Sequence, residues 1–225
     1  MSTSKRQIKQ DIGSVFILQK KDVVIIGVTG YSGSGKTTAT QALVELLPDA
    51  YCIHGDNYLF EYLTQFPKET ERIFGVPVDT TDGAYYLKCF EKNLTFELWE
   101  ELAYVVSPYL NTRITKTIDS LVSSKNPRFI LVDYAALPSL NIWDKSHYKV
   151  LVQTNDCELR FGMLYKLNGL GILDKKTVEN RQQIIGKYIE NISTAINYTL
   201  NNNYDDNFYD EIKTLSCLIK NRYPL

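Results

Sequence analysis

The sequence predicts an α/β fold in three layers, a five-stranded parallel sheet between layers of helices, and three observations carry that prediction. Gly30-Tyr31-Ser32-Gly33-Ser34-Gly35-Lys36-Thr37 fits the pattern G-x-x-x-x-G-K-[ST] at every fixed position. A short β-branched run, Val23 to Thr29, precedes it, and helix-forming residues from Thr37 to Leu47, closed by Pro48, follow it. Short apolar runs at Tyr51 to His54, Phe129 to Val132, Lys149 to Val152 and Tyr198 to Leu200 then alternate with helical stretches, the order of a parallel sheet with helical crossovers.

Taken in order, residues 4 to 18 open with Ser4-x-x-Gln7, a capping-box pattern, and carry Ile8, Ile12, Val15 and Phe16 at helical spacing. They read as an amphipathic N-terminal arm. Val23 to Thr29 is a buried strand by length and composition, and Tyr51 to His54 is a second strand ending at Gly55-Asp56. The stretch from Asn57 to Pro77 is mixed, with Pro67, Gly75 and Pro77 as breakers. Residues 82 to 125 read as helical, since Tyr86, Leu87, Phe90, Leu94, Leu98, Leu102 and Val105 recur at threes and fours. A break is expected at Ser107-Pro108, after which Ile114, Ile118, Leu121 and Val122 resume the pattern. Helices are expected at 156 to 167, 174 to 196 and 206 to 220. The whole is one domain of residues 1 to 225, with an N-terminal arm at 1 to 22, a helical acceptor-binding insertion at 57 to 125 and a lid at 156 to 180.

Composition bounds the function. The chain has 225 residues, 44% of them hydrophobic and 23% charged, enough for one sizeable core with an insertion. Its 25 Lys and Arg against 26 Asp and Glu give a net charge of −1, so no global positive field holds a nucleic acid, and an anion must be bound locally. The longest apolar runs, such as Val23-Val24-Ile25-Ile26, are far too short to span a bilayer, and the N-terminus lacks the order of a signal peptide. The expectation is a cytoplasmic protein with neither a membrane nor a nucleic acid as partner. Cys52, Cys89, Cys157 and Cys217 show no CxxC spacing and the only histidines are His54 and His147, which disfavours zinc and a disulfide framework and leaves reduced thiols.

The Gly30 to Thr37 segment is a phosphate-binding loop. Its glycines let consecutive amide N–H groups turn inward toward phosphate oxygens, and the loop ends at a helix N-terminus whose partial positive charge favours the same anion. Gly30, Ser32, Gly33, Ser34 and Gly35 form the cradle, Lys36 would reach the β- and γ-phosphates, the Thr37 hydroxyl would bind Mg²⁺ and Thr38 would hold the α-phosphate. ATP and Mg²⁺ are therefore the expected cofactors.

Such a loop fixes the nucleotide and leaves the reaction open. In a parallel sheet the ligand crevice lies beyond the carboxyl ends of the strands. Asp56, just past the second strand, is placed there either as the base that takes a proton from an acceptor hydroxyl or as an N-cap of a helix starting near Asn57. Asp133 ends Phe129-Ile130-Leu131-Val132, the Walker B pattern, and would serve the Mg²⁺ shell. If the second strand continues that far, alternation puts His54 on the face of Asp56, as a packed or substrate-contacting side chain. Arg160, with Lys166 and the nearby Gly162, Gly169 and Gly171, reads either as a hinged lid that brings a cation over the phosphates or as an exposed helix; Arg181 is a weaker candidate. The guanine-reading Asn-Lys-x-Asp motif is missing, which argues against a GTPase switch.

Ile26-Gly27-Val28-Thr29-Gly30 leading into Gly33-Ser34-Gly35-Lys36-Thr37-Thr38, then Asp56, resembles the P-loop small-molecule kinases of the nucleoside-monophosphate-kinase type. Ile53-His54-Gly55-Asp56-Asn57-Tyr58 is similar to uridine and nicotinamide riboside kinases. The strand into Asp133, Arg160 opening the lid, and the tail from Arg181 to Asn202 look more like dephospho-CoA kinase. Three departures concern the acceptor, one of them Lys166 near where a second lid arginine would stand. His54 stands where dephospho-CoA kinases carry the first of two aspartates, and Ser107 stands where they carry the histidine of His-Pro. The resemblance implies a P-loop NTPase fold and ATP- and Mg²⁺-dependent phosphoryl transfer to a hydroxyl of a small-molecule acceptor, dephospho-CoA first and a nucleoside second, with Asp56, Lys36 and Arg160 as catalytic residues and Thr37 and Asp133 at the metal. A non-catalytic nucleotide-binding regulator is the alternative of another class.

Overall fold

The computed structural model describes residues 22–75, 95–154, 175–192 and 195–224. The expected arm helix at 4 to 18, the first part of the helical block at 82 to 94, and the lid candidates Arg160, Gly162, Lys166, Gly169 and Gly171 lie outside them, as do Cys89 and Cys157.

Five strands, β1 (Val24–Gly30), β2 (Ala50–His54), β3 (Phe129–Asp133), β4 (Tyr148–Gln153) and β5 (Tyr198–Asn201), form one sheet in the order β2-β3-β1-β4-β5. Every pairing is parallel. Both faces of the sheet are covered, which is why β1 and β3 read as continuous apolar runs and not as an alternation of apolar and polar residues. Alternate side chains still go to opposite layers. Ile130 and Val132 join Ile53, Leu63, Leu110 and Trp143 in one core, whereas Phe129 and Leu131 join Ile26, Leu43, Val150 and Ile212 in the other.

The second core is closed by α1 (Lys36–Leu46) and α7 (Asn207–Arg222), and the first by α2 (Gly55–Gln65), α3 (Pro67–Phe74), α4 (Phe96–Lys125), α5 (Asn141–Asp144) and α6 (Lys175–Asn191). Where the sequence suggested a mixed stretch, Pro67 starts α3 at a position whose N–H has no helical partner to lose, and Gly75 ends it in the left-handed region at φ 62°. A 3₁₀ turn at Leu137–Ser139 and the one-turn α5 between β3 and β4 were not foreseen from the sequence.

The expected break at Ser107-Pro108 does not occur: α4 runs unbroken for 30 residues through Pro108. Leu102, Val106, Leu110, Ile114 and Ile118 form a buried seam at four-residue spacing, and each buried apolar side chain contributes about 1.5–3 kcal/mol. That packing outweighs the single hydrogen bond that proline removes. The Ser107 hydroxyl donates to the Ala103 carbonyl and Thr112 Oγ1 to the Pro108 carbonyl at 2.9 Å, back-bonds of the side chain to the preceding turn on either side of the ring. At its start the Thr95 hydroxyl caps the helix, accepting from the Leu98 N–H at 3.4 Å.

Tyr62 ties α2 to α3: its hydroxyl donates to Glu69 Oε2 at 2.9 Å, and its ring lies 4.7 Å from that of Phe66 and 5.4 Å from that of Tyr109. Burial, reinforced by the Glu69 carboxylate, pushes its phenol up to about 12. An unfolded tyrosine ionises near 10, so between about pH 10 and 12 the unfolded chain releases a proton that the native state keeps, and stability falls as pH rises through that window. Tyr62→Phe should cost about 1 kcal/mol at pH 8 from the lost hydrogen bond, and should lose less stability than the parent between pH 8 and 11, as read from urea unfolding at the two pH values.

Candidate active site

The register of the sheet brings three strand ends together. Val28 pairs with Asp133 and His54 pairs with Asp133, so β1, β2 and β3 reach their carboxyl ends side by side. Past that edge the Gly30 to Lys36 loop turns back into α1. Gly30, Gly33 and Gly35 have φ of 146°, 77° and 93°. At two of them there is also no room for a side chain, since a Cβ on Gly30 would stand 2.0 Å from the Val152 carbonyl oxygen and one on Gly35 2.3 Å from Asn202 Nδ2.

Within the loop the Tyr31 carbonyl accepts from the Ser34 N–H at 3.2 Å and from Lys36 Nζ at 2.8 Å. Lys36 is thereby held, buried, across the mouth of the loop. Ser34 is fully buried, and its hydroxyl has no hydrogen-bond partner among the described residues. Ser32 is half-buried, and Thr37 and Thr38 open α1 on the exposed side.

Asp133 is buried and central. Its Oδ2 accepts from Thr37 Oγ1 at 3.2 Å and lies 3.3 Å from His54 Nδ1. The hydrogen bond to Asp133 raises the His54 imidazole from its usual range, burial opposes the shift, and the charges of Asp133 and Asp56 add to it. Cys52, next inward on β2, is pushed up to about 12 by burial and by the Asp133 charge and stays a thiol. His54 is thus a partner of the Asp133 carboxylate. The condition for sharing a strand face with Asp56 is not met, since β2 ends at His54 and Gly55 already belongs to α2.

Asp56 sits half-buried in the first turn of α2, where a carboxylate is favoured by the helix dipole. It is not the N-cap that the sequence allowed: His54 holds that position and makes no side-chain cap bond. Arg181 lies in α6. Among the described residues the structure therefore gathers the loop, Lys36, Thr37 and Asp133, with Asp56 two residues beyond His54 at the same sheet edge.

Sequence reasoning missed the outer support of the loop. Asn202 is buried; its Nδ2 donates to the Ser34 carbonyl at 3.0 Å, and its Oδ1 accepts from the Tyr204 N–H at 2.8 Å. The Tyr204 hydroxyl donates to the Gly33 carbonyl at 2.6 Å. The available signal was position: Asn202 follows a strand whose carboxyl end borders the crevice, and asparagine serves turns through its side-chain carbonyl.

On the other side of Asp133 lies an apolar pocket, open to solvent, between α2, α4, α6 and the segment after β3. Leu59, Leu102, Val106, Leu110, Ile185 and Tyr188 supply most of its wall, and Tyr134 to Ala136 supply its floor. The floor is tied to β1, because Thr29 Oγ1 donates to the Ala135 carbonyl at 2.8 Å and the Tyr134 N–H donates to the Val28 carbonyl at 3.2 Å. The described residues contain no helix long and apolar enough to cross a membrane.

No protein-family model matches the chain, and no curated protein matches it in sequence. Solved structures do. TT1252 from Thermus thermophilus is similar with a TM-score of 0.63 at 19% identity, over 89% of this chain and 98% of that one. The dephospho-CoA kinase from Campylobacter jejuni gives 0.53 at 15% identity, over 88% and 97%. The shikimate kinase from Acinetobacter baumannii gives 0.50 at 16% identity, over 91% and 97%. With the five parallel strands and the glycine loop at the end of β1, these likenesses show that the chain has the α/β fold of the P-loop kinases.

Proposed function

We propose that the protein transfers the γ-phosphoryl group of ATP to a hydroxyl of a small-molecule acceptor. The observation that carries this reading is the pairing of a complete phosphate loop with an open cavity whose floor begins at the residue after Asp133. A nucleotide on one side and an acceptor on the other would meet at that edge.

The chain's own groups suit the transfer. Ser34 to Lys36 present the loop amides and the ammonium to the phosphates. Asp56 takes the proton of the acceptor hydroxyl as its oxygen bonds to the γ-phosphorus; the bridging P–O bond to the β-phosphate breaks, and ADP leaves with that electron pair. Arg160, from outside the described residues, is the further cation the sequence offers to the developing charge. The site fits Mg²⁺: the Thr37 hydroxyl and Asp133 Oδ2, 3.2 Å apart, are hard oxygen donors of the kind that hold this ion together with water and phosphate oxygens. When bound there, the ion supplies charge neutralisation on the phosphates.

The acceptor we favour is dephospho-CoA, on the order and spacing of the segments from Asp133 to Asn202. A nucleoside of the uridine or nicotinamide riboside kind is the second reading, favoured by the Asp56-Asn57-Tyr58 stretch. Incubating the protein with labelled ATP and each acceptor in turn tests the proposal. Label transferred to one of them supports it, and nucleotide binding without transfer to any acceptor identifies a nucleotide-binding regulator.

Asp56→Ala should lower the transfer rate by about 10²–10⁴ while leaving ATP affinity within a few-fold, measured by single-turnover kinetics and nucleotide titration; an unchanged rate removes Asp56 as base. Asn202→Ala should leave the Ser34 carbonyl buried without its donor and weaken fluorescent-ATP binding about 10-fold, because a lost buried hydrogen bond costs about 1–3 kcal/mol.

A further inference from the structure

We propose that Gln182 is a specificity-determining residue, which reads a neutral donor–acceptor edge on an acceptor whose apolar body occupies the cavity beneath α4. The inference rests on the kinase reading above for the hydroxyl that reacts, and on separate observations for the recognition.

Gln182 is 7% exposed, yet neither Nε2 nor Oε1 has a hydrogen-bond partner among the described residues. A buried amide left unpaired is a standing cost to the fold, so its retention points to a partner that comes and goes. Gln182 does not itself line the cavity, but it stands one helical turn from a residue that does. Ile185, three residues on, lines the cavity, and Gly186, four residues on, abuts the phosphate loop, with the Tyr31 hydroxyl 3.3 Å from where its Cβ would stand. Spacings of three and four put Gln182, Ile185 and Gly186 on one face of α6.

The cavity narrows the chemistry. Among the described residues its lining is aliphatic side chains, alanines, serines and the rings of Tyr134 and Tyr188, with no charged group. Such walls accept a flat apolar or aromatic body and oppose a carboxylate, which would call for a guanidinium. A glutamine amide offers one acceptor and two donors in a plane, the complement of a carboxamide or of the edge of a nucleobase. The ligand class is thus a flat, uncharged ring with an adjacent donor and acceptor, attached to a hydroxylated group that reaches past Tyr134 to Asp133 and the loop.

The test is equilibrium binding to the full chain with ADP present, using uridine, adenosine, 3-(β-D-ribofuranosyl)benzamide and 1-β-D-ribofuranosylbenzene, whose ring has no hydrogen-bonding edge. Uridine and adenosine probe a nucleobase edge, and the neutral benzamide riboside probes a carboxamide. At least one edge-bearing probe should bind 10-fold or more tighter than the benzene analogue. Gln182→Met should erase that preference, and Gln182→Glu, which keeps the shape and loses the donors, should reduce it, with fluorescent-ADP affinity unchanged in both. The proposal is overturned if no edge-bearing probe binds, if none is preferred by the parent protein, if the preference survives in Gln182→Met, or if ADP affinity falls in parallel. If a variant is too unstable to measure, the preference of the parent protein decides. Because binding needs no turnover, a protein that prefers an edge-bearing probe and transfers nothing refutes the kinase reading alone, and one that phosphorylates the benzene analogue as well as the others refutes the role of Gln182 alone.

Discussion

Two carbonyls of the phosphate loop are pinned from outside, Gly33 by the Tyr204 hydroxyl and Ser34 by the Asn202 amide, and the rest of the site depends on that restraint. In a trans peptide the carbonyl and the next N–H point in opposite directions, and the described chain has no cis bond. Holding the Ser34 carbonyl outward therefore turns the Gly35 N–H inward, where an anion is to lie. The glycines permit the geometry, and the polar clamp selects it from the many conformations that glycine allows.

A chain of net charge −1 has no long-range attraction for phosphate, so its attraction is concentrated in backbone dipoles, a helix N-terminus and the buried Lys36. The negative partner is equally local. Asp133 is buried, and Thr37 and His54 both contact its Oδ2, so the carboxylate is oriented before any ligand arrives. Orientation fixed in advance spares the site a reorganisation when charge develops.

The glycine loop and the carboxyl ends of the strands were legible in the sequence because they rest on local rules: an eight-residue pattern, β-branched runs, and a carboxylate where an apolar run stops. What was hidden depended on partners distant in the chain. Pro108 reads as a helix breaker until the seam from Leu102 to Ile118 is buried, after which packing overrides it. His54 reads as a neighbour of Asp56 until the sheet register sets it against Asp133. Asn202 and Tyr204 stand in an asparagine-rich stretch that looks like composition alone, and only the fold brings them against the loop. Gln182 is one polar residue on an amphipathic helix, and its significance lies in burial without a partner, which no spacing reveals.

The clamp on the loop also bears on the order in which the molecule becomes competent. Asn202 follows Ser34 by 168 residues, so the motif and the group that shapes it are made at widely separated moments of synthesis. With a ribosome adding about 5–20 residues each second, the glycine loop waits roughly ten seconds or more before its outer support exists. During that interval its carbonyls are free to rotate. Phosphate binding is therefore a late property of the nascent chain, acquired when β5 docks against β4 and carries Asn202 into place.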